Sequence, residues 1–222
     1  MNKFAVIVAG GSGSRMESDI PKQFLMLNGK PILYYAINTF LKTFEDCTII
    51  LVLPEEYIGT GQEIIDAFFD YNKIKIVVGG RTRFHSVQNG LAHVNEDSVV
   101  FVHDAVRPLI SEALLNRCYA CALELGTAIP SVPLKDSLRQ LIEIGNEAVN
   151  RNDYVLIQTP QTFHSKILLP AFNIDYKEKF TDEASVVEAF GLKVALIDGE
   201  DTNIKITKQS DLIFAEAFLS KV

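Results

Sequence analysis

The stretch "FAVIVAGGSGSRMESDIPKQF", residues 4–24, decides the fold. Its opening residues, Phe4 to Val8, form an apolar run that reads as the first strand of an α/β domain. Small residues follow at Gly10, Gly11, Ser12 and Gly13, the kind a chain uses where backbone must approach phosphate. Arg15 and Lys22 come next, on either side of an Ile20-Pro21 bond that favours extended backbone. Two common phosphate loops are excluded. Met16 stands where a dinucleotide fingerprint needs its third glycine, and the loop runs Ser14-Arg15-Met16 where a Walker loop needs Gly-Lys-Ser/Thr. A third kind of phosphate site is required.

Working outward, apolar runs alternate with amphipathic stretches over most of the chain. Strands are predicted at Phe4 to Val8, Thr48 to Leu53, Lys75 to Val78, Val99 to Val102, Ala128 to Val132 and Lys193 to Ile197. Helices are predicted at Ile32 to Leu41, Glu56 to Phe69, Arg83 to His93, Ser111 to Leu125, Glu183 to Phe190 and Gln209 to Leu219. This alternation predicts an α/β, Rossmann-like fold, a mainly parallel sheet covered by helices on both faces, as one domain over residues 1–222. Ligands of such sheets bind beyond the carboxyl ends of the strands.

Residues 136–153, "DSLRQLIEIGNEAVNRND", break the rhythm. Gly145-Asn146 is a turn signal between two β-favouring stretches, so the segment reads as a protruding β-hairpin arm. A lone hairpin is marginal in water and must lean on something. A second subunit is the sharper reading, a surface flap the plainer one.

A formal charge of −7 argues against a nucleic-acid backbone as partner, so clustered cations would serve a small local anion. No apolar run approaches the ~20 residues of a membrane helix, and no leader pattern opens the chain. The three cysteines are too few and odd in number for a disulfide framework, which suits the cytoplasm. Cys118 and Cys121 form a CxxC inside a helical pattern and read as packing. His85, His93 and His164 have no metal-ligand spacing, and no metal-binding residues are assigned.

Residues 10–16 with Pro21-Lys22-Gln23 resemble the signature of sugar-nucleotide pyrophosphorylases and related nucleotidyltransferases. More narrowly, they resemble the family of cytidylyltransferases that act on 2-C-methyl-D-erythritol 4-phosphate in non-mevalonate isoprenoid synthesis. "GGRTRFHSV" (79–87), "HDAVRP" (103–108), "TDEAS" (181–185) and "NIKIT" (203–207) follow in the family's order. Ribitol-5-phosphate cytidylyltransferases look similar at the loop, "PKQ", "HDAVRP" and the "NIK" lysine, but usually lack the Ser86-Val87 and Glu183-Ala184-Ser185 elements. A non-catalytic CTP-sensing subunit is the rival of another class, against which the presence of both Arg15 and Lys22 speaks. The family also occurs fused to a later pathway enzyme, for which the sequence has no room after "NIKIT" and one helix.

The resemblance implies that a sugar-alcohol phosphate attacks the α-phosphorus of CTP and pyrophosphate leaves. A phosphate monoester is mostly anionic at neutral pH, so no general base is needed. The site must align two polyanions and neutralise developing charge. By resemblance, Arg15, Lys22, Arg151 and Lys205 are catalytic. Ala9, Gly10, Gly11, Gly13, Gly80, Arg81 and Ser86 bind the nucleotide, and Asp104, Arg107, Ser137 and Thr159 bind the second substrate. Mg²⁺ is implied, held mainly through the CTP phosphates, with Asp104 reaching it through water, and so is a homodimer joined by the arm. The residues add their own support. Asp104 follows an apolar run and so ends a strand, and the apolar frame of Ile204 and Ile206 turns Lys205 to the opposite face. His103 reads as a packed or turn-stabilising histidine. Ser137 stands where the family usually has threonine, and Asn150 where it has an acidic residue.

Overall fold

The computed structural model describes residues 1–10, 20–69, 71–94 and 97–220; Gly11, Gly13 and Arg15 lie outside the described residues. Strand β1 (Asn2–Val8) runs into Ala9 and Gly10. A 3-10 turn at Lys22–Phe24 and a ribbon of β2 (Met26–Leu27) and β3 (Lys30–Pro31) lead to α1 (Ile32–Thr43). Then come β4 (Cys47–Leu53), α2 (Ile58–Phe68), β5 (Ile74–Val78), α3 (Arg83–Leu91), β6 (Ser98–Asp104), α4 (Glu112–Leu125) and β7 (Thr127–Pro133). The arm is β8 (Leu138–Leu141) and β9 (Asn146–Val149). After it follow β10 (Val155–Ile157), β11 (Gln161–His164), α5 (Ser165–Ala171), α6 (Glu183–Ala189), β12 (Leu196–Asp198) and α7 (Gln209–Leu219).

The main sheet has the order β10-β7-β11-β6-β1-β4-β5, with β12 also paired to β7. β1, β4, β5 and β6 are parallel. β11 runs against both β6 and β7, β12 runs with β7, and β10 runs against it. The sheet is therefore mainly parallel. Alternation along each strand feeds two cores. Ala5, Ile7, Ile49, Leu51 and Phe101 pack with α1 and α4 on one face; Phe4, Val6, Ile50, Val52 and Val102 pack with α3 and α5 on the other. Burial on both faces is why these strands read as unbroken apolar runs.

Several boundaries shift. The helix expected from Glu56 is preceded by a 3-10 turn, Glu55–Tyr57, and begins at Ile58. The helix expected to reach His93 ends at Leu91. The strand expected over Lys193 to Ile197 is Leu196–Asp198, although the Ala195 carbonyl still accepts from Ile129 N–H at 2.8 Å. Lys205 does not lie on a strand. The segment is pinned by Ile206 N–H donating to the Val106 carbonyl at 2.8 Å, with Ile206 buried, and Lys205 projects the other way all the same.

Among the labelled strands and α-helices, five had no expectation: β2, β3, β10, β11 and α5. β11 offers little apolar alternation because polar contacts hold it. Gln161 Nε2 donates to Asp182 at 2.8 Å, its Oε1 accepts from Ala184 N–H at 2.8 Å, and Phe163 fills the core. The arm is as expected, with Leu138 opposite Val149 and Leu141 opposite Asn146. Gly145, at φ +96°, takes the left-handed turn position that suits glycine.

Candidate active site

Sheet register places the site. Val8 lies opposite both Asp104 and Val52, and Leu53 lies opposite Val78. The ends of four parallel strands thus bring Ala9-Gly10, Asp104, Pro54 and Gly79-Gly80 to one edge. This is where a sheet of this class accepts ligands.

On one side of that edge is a cavity of about 350 Å³, lined by Gly10, Pro54, Tyr57, Gly79, Gly80 and Ser86 among others. Ser86 organises it. Its Oγ accepts from Gly80 N–H at 3.1 Å and donates to the Thr82 carbonyl at 3.0 Å. A Cβ at Gly79 would come within 3.2 Å of that oxygen, and one at Gly80 within 2.8 Å of the His85 carbonyl carbon. Glycine at Gly80 is therefore required by backbone proximity. Arg81 is exposed just before Thr82, which caps α3.

The "PKQ" motif closes the other wall. Gln23, buried, donates from Nε2 to the Ala9 carbonyl at 2.7 Å, while Ala9 N–H donates to the Val52 carbonyl at 2.9 Å. The two ends of the segment between Gly10 and Pro21 are thus tied together, and Lys22 is buried in the turn that follows.

Beyond the cavity lies the charged cluster. Asp104 Oδ1 faces Arg83 Nη2 at 3.3 Å; Oδ2 faces Lys205 Nζ at 3.0 Å and Arg107 Nε at 3.7 Å. Arg83 also holds Glu183, Nη1 to Oε1 and Nη2 to Oε2 at 3.2 Å. Arg107 Nη1 donates to the Asn203 carbonyl at 2.8 Å. Asn203 in turn donates to the Thr159 carbonyl at 2.8 Å, so "NIKIT" docks on the strand edge through buried amides. Three cations against two carboxylates leave a single excess positive charge, set among residues that are mostly buried. Such a cluster favours an anion.

Burial alone would push the Asp104 carboxyl up, but Arg83, Lys205 and Arg107 outweigh it and hold it below the usual carboxylate range. Burial pushes Glu183 up, and Arg83 offsets this only in part. The sign for stability follows from Asp104. Its folded value lies below its unfolded one, so its contribution is present above the ordinary carboxylate pKa and is lost as pH falls toward the folded value. Comparing thermal unfolding of the wild-type protein and Asp104→Asn against pH should show the largest gap near neutrality. That gap should shrink below about pH 4. A gap that does not vary with pH would mean that the charge of Asp104 contributes nothing.

The remaining sequence candidates fall in two places. Thr159 is buried, with its Oγ1 3.1 Å from Asp104 N and 3.0 Å from His103 Nδ1. The hydroxyl thus joins Thr159 to the end of β6, beside the Asp104 cluster. Ser137 and Arg151 lie on the arm, both exposed. Within one chain the Arg151 guanidinium donates to the Lys135 carbonyl, whereas the cations paired with Asp104 are Arg83, Arg107 and Lys205.

Sequence reasoning missed Arg83, Glu183 and the anchoring role of Gln23. For Arg83 the available signal was helix phase. α3 starts at Arg83, which places Arg83 and Ser86 on one face at i, i+3, with Arg81 ahead of the cap. Among the described residues no group of three or more His, Cys, Asp or Glu side chains could hold a metal ion. Cys118 and Cys121 both lie in α4 as free thiols, and burial pushes Cys118 up to about 12, which leaves it inert.

A family model described as 2-C-methyl-D-erythritol 4-phosphate cytidylyltransferase matches residues 4–221. The relative of that name from Bacteroides fragilis is 46% identical over 220 residues, covering 99% of this chain and 100% of the relative. The one from Porphyromonas gingivalis is 44% identical over 219 residues, covering 98% of each. Among solved structures, 4-diphosphocytidyl-2C-methyl-D-erythritol synthase from Anaerococcus prevotii superposes with a TM-score of 0.84 at 30% identity, over 99% of this chain and 96% of that one. The 2-C-methyl-D-erythritol 4-phosphate cytidylyltransferase from Thermus thermophilus gives 0.78 at 30% identity, over 100% of both chains. Identity of this order, sustained from end to end on a shared fold, assigns the protein: it belongs to the 2-C-methyl-D-erythritol 4-phosphate cytidylyltransferase family.

Proposed function

We propose that the cavity at the strand ends holds CTP, and that the phosphate of 2-C-methyl-D-erythritol 4-phosphate enters over Asp104, Arg107 and Lys205. The observation that carries this is the adjacency of a glycine-walled cavity to a cluster with excess positive charge. A substrate phosphate oxygen bonds to the α-phosphorus, the bond from that phosphorus to the bridging oxygen breaks, and pyrophosphate departs with the electron pair. The attacking group is already ionised, so the chain's work is alignment and charge neutralisation.

Lys22 is assigned to the triphosphate in this reading, and so, from its place in the sequence motif, is Arg15, which lies outside the described residues. Lys205 is held ready by Asp104 at 3.0 Å and turns to the incoming phosphate. Arg83 and Glu183 keep Asp104 in place behind it. Gly10, Gly80 and Ser86 form the wall against the cytosine and ribose, with Ala9 fixed behind Gly10.

Mg²⁺, if bound, would be held by the CTP phosphates and would supply charge neutralisation there. Both oxygens of Asp104 are taken by Arg83, Lys205 and Arg107, which suits a metal carried by nucleotide better than one caged by protein.

We further propose a homodimer joined through the arm. Leu141 and Ile144 are 83% and 90% exposed, and Tyr154, Val155 and Leu156 beside the arm are also exposed. Apolar surface of this extent on a two-stranded hairpin asks for a partner. The cytoplasm is the compartment that free Cys47, Cys118 and Cys121 suit.

Pyrophosphate release tests the reading, with CTP and UTP each offered 2-C-methyl-D-erythritol 4-phosphate or ribitol 5-phosphate. CTP with the methylerythritol phosphate should be the productive pair. A wall that hydrogen-bonds one pyrimidine edge should cut kcat/KM for UTP by more than about tenfold. Comparable values for UTP would refute recognition of the cytosine edge, and preference for ribitol phosphate would overturn the substrate.

A further inference from the structure

Two turns beside the strand ends are built alike. "PKQF", residues 21–24, and "PEEY", residues 54–57, each run proline, two polar residues and an aromatic. Both fold as a single 3-10 turn entered from an extended proline, at ψ 140° and 148°. Phe24 N–H closes the first on the Pro21 carbonyl at 2.9 Å, and Tyr57 N–H closes the second on the Pro54 carbonyl at 3.0 Å. Proline presets φ at the start, and the i→i+3 bond fixes where the aromatic stands. The two aromatics then meet, with ring centroids 5.3 Å apart and planes tilted by 45°. Their turns have different duties. The first carries Lys22, while Pro54, Glu55, Glu56 and Tyr57 line the nucleotide cavity.

The Lys22 turn is thus attached at two points. Gln23 ties it to the Ala9 carbonyl, next to Gly10, and Phe24 packs against Tyr57. Gly10 and Tyr57 both line the cavity, so both attachments end on residues of its wall or beside them. We propose that Tyr57 is a positioning residue for cytidylyl transfer: through Phe24, its ring holds the turn carrying Lys22 in register with the wall of the nucleotide cavity. The Gln23 bond alone would leave that turn a pivot, and a second contact fixes its direction. Paired rings favour particular geometries, which an aliphatic side chain of similar bulk does not supply. Placement matters here, because a misplacement of about 1 Å at a reacting centre can cost about 10²-fold in rate. The proposal rests on the assignment of Lys22 to the triphosphate given above.

Tyr57→Leu keeps an apolar side chain and removes the ring, whereas Tyr57→Phe keeps the ring and removes the hydroxyl. Tyr57→Leu should lower kcat about five- to tenfold, the scale of one aromatic pair. Tyr57→Phe should return kcat to within about twofold of wild type. KM for the sugar phosphate should change less than about twofold in both, because Asp104, Arg107 and Lys205 lie on other elements. The decisive comparison is made in Lys22→Ala. There Tyr57→Leu should lower kcat by less than about a further twofold, since the ring acts through an ammonium already removed. An equal loss in both backgrounds would make Tyr57 a wall residue independent of Lys22 and overturn the proposal.

Amide hydrogen exchange at Phe24, followed by NMR, gives a readout that needs no catalysis. It should accelerate at least about fivefold in Tyr57→Leu while Val6 and Ile50 stay protected as in wild type. Unchanged exchange at Phe24, or a loss in Tyr57→Phe as large as in Tyr57→Leu, would also overturn the proposal. An unchanged kcat in Lys22→Ala alone would instead remove the assignment on which it rests.

Discussion

Replacing Lys22 by alanine should lower kcat by about 10²–10³ while CTP still binds. Lys22 sits in a turn whose next residue, Gln23, is bonded to the Ala9 carbonyl at 2.7 Å, and Pro21 fixes the approach from the other side. The backbone at Lys22 is therefore held close to Ala9-Gly10, Gly10 lines the cavity, and the Lys22 side chain is buried. A cation that neutralises charge appearing only as the phosphorus is attacked contributes more in the transition state than in the ground state. Its loss should appear in kcat and kcat/KM together, with a modest change in CTP affinity by calorimetry. An unchanged kcat with a raised KM for CTP would make Lys22 a uniform binding group and refute the role assigned to it.

The parts of this site that sequence discloses share a physical property: each is fixed by local backbone demands. Asp104 ends a strand because the apolar run before it is buried on both faces, and the loop beyond a parallel strand is where a ligand meets the sheet. The arm is legible from Gly145, whose positive φ few other residues tolerate. Lys205 is legible because Ile204 and Ile206 turn inward on either side of it. Arg83 is different. "RTR" offers two equivalent arginines, and only the position of the Thr82 cap decides that Arg83 shares a face with Ser86. Glu183 opens a helix far away in sequence, and nothing local announces that it meets Arg83. β11 is hidden for a related reason, since Gln161 stabilises it by bonds to Asp182 and Ala184 instead of by apolar alternation. Long-range polar partnership leaves no periodic trace in a chain. The positions it governs become visible only when the strands are brought together.

Mixing two inactive variants should restore activity if the arm completes its neighbour's site. Arg151 stands on the arm and, within one chain, faces the Lys135 carbonyl, whereas Asp104 is paired with Arg83, Arg107 and Lys205. An exposed arginine at the foot of a hairpin with Leu141 and Ile144 uncovered is well placed to serve a second copy. In a two-fold dimer each site would then take Lys22 from one chain and Arg151 from the other. Lys22→Ala and Arg151→Ala homodimers should each be nearly inactive, since every site carries a lesion. Unfolded together in equal amounts and refolded, half the dimers are mixed under random pairing. One site of each mixed dimer then combines both lesions, and the other has neither. About one quarter of wild-type activity should therefore return, if the two sites act independently. Native mass spectrometry establishes that mixed dimers have formed. Mixed dimers present without recovered activity would mean that Arg151 serves its own chain, because every site would then still carry one lesion. A protein that remains monomeric throughout would refute the arm-mediated dimer itself, and with it the need for Leu141 and Ile144 to be covered.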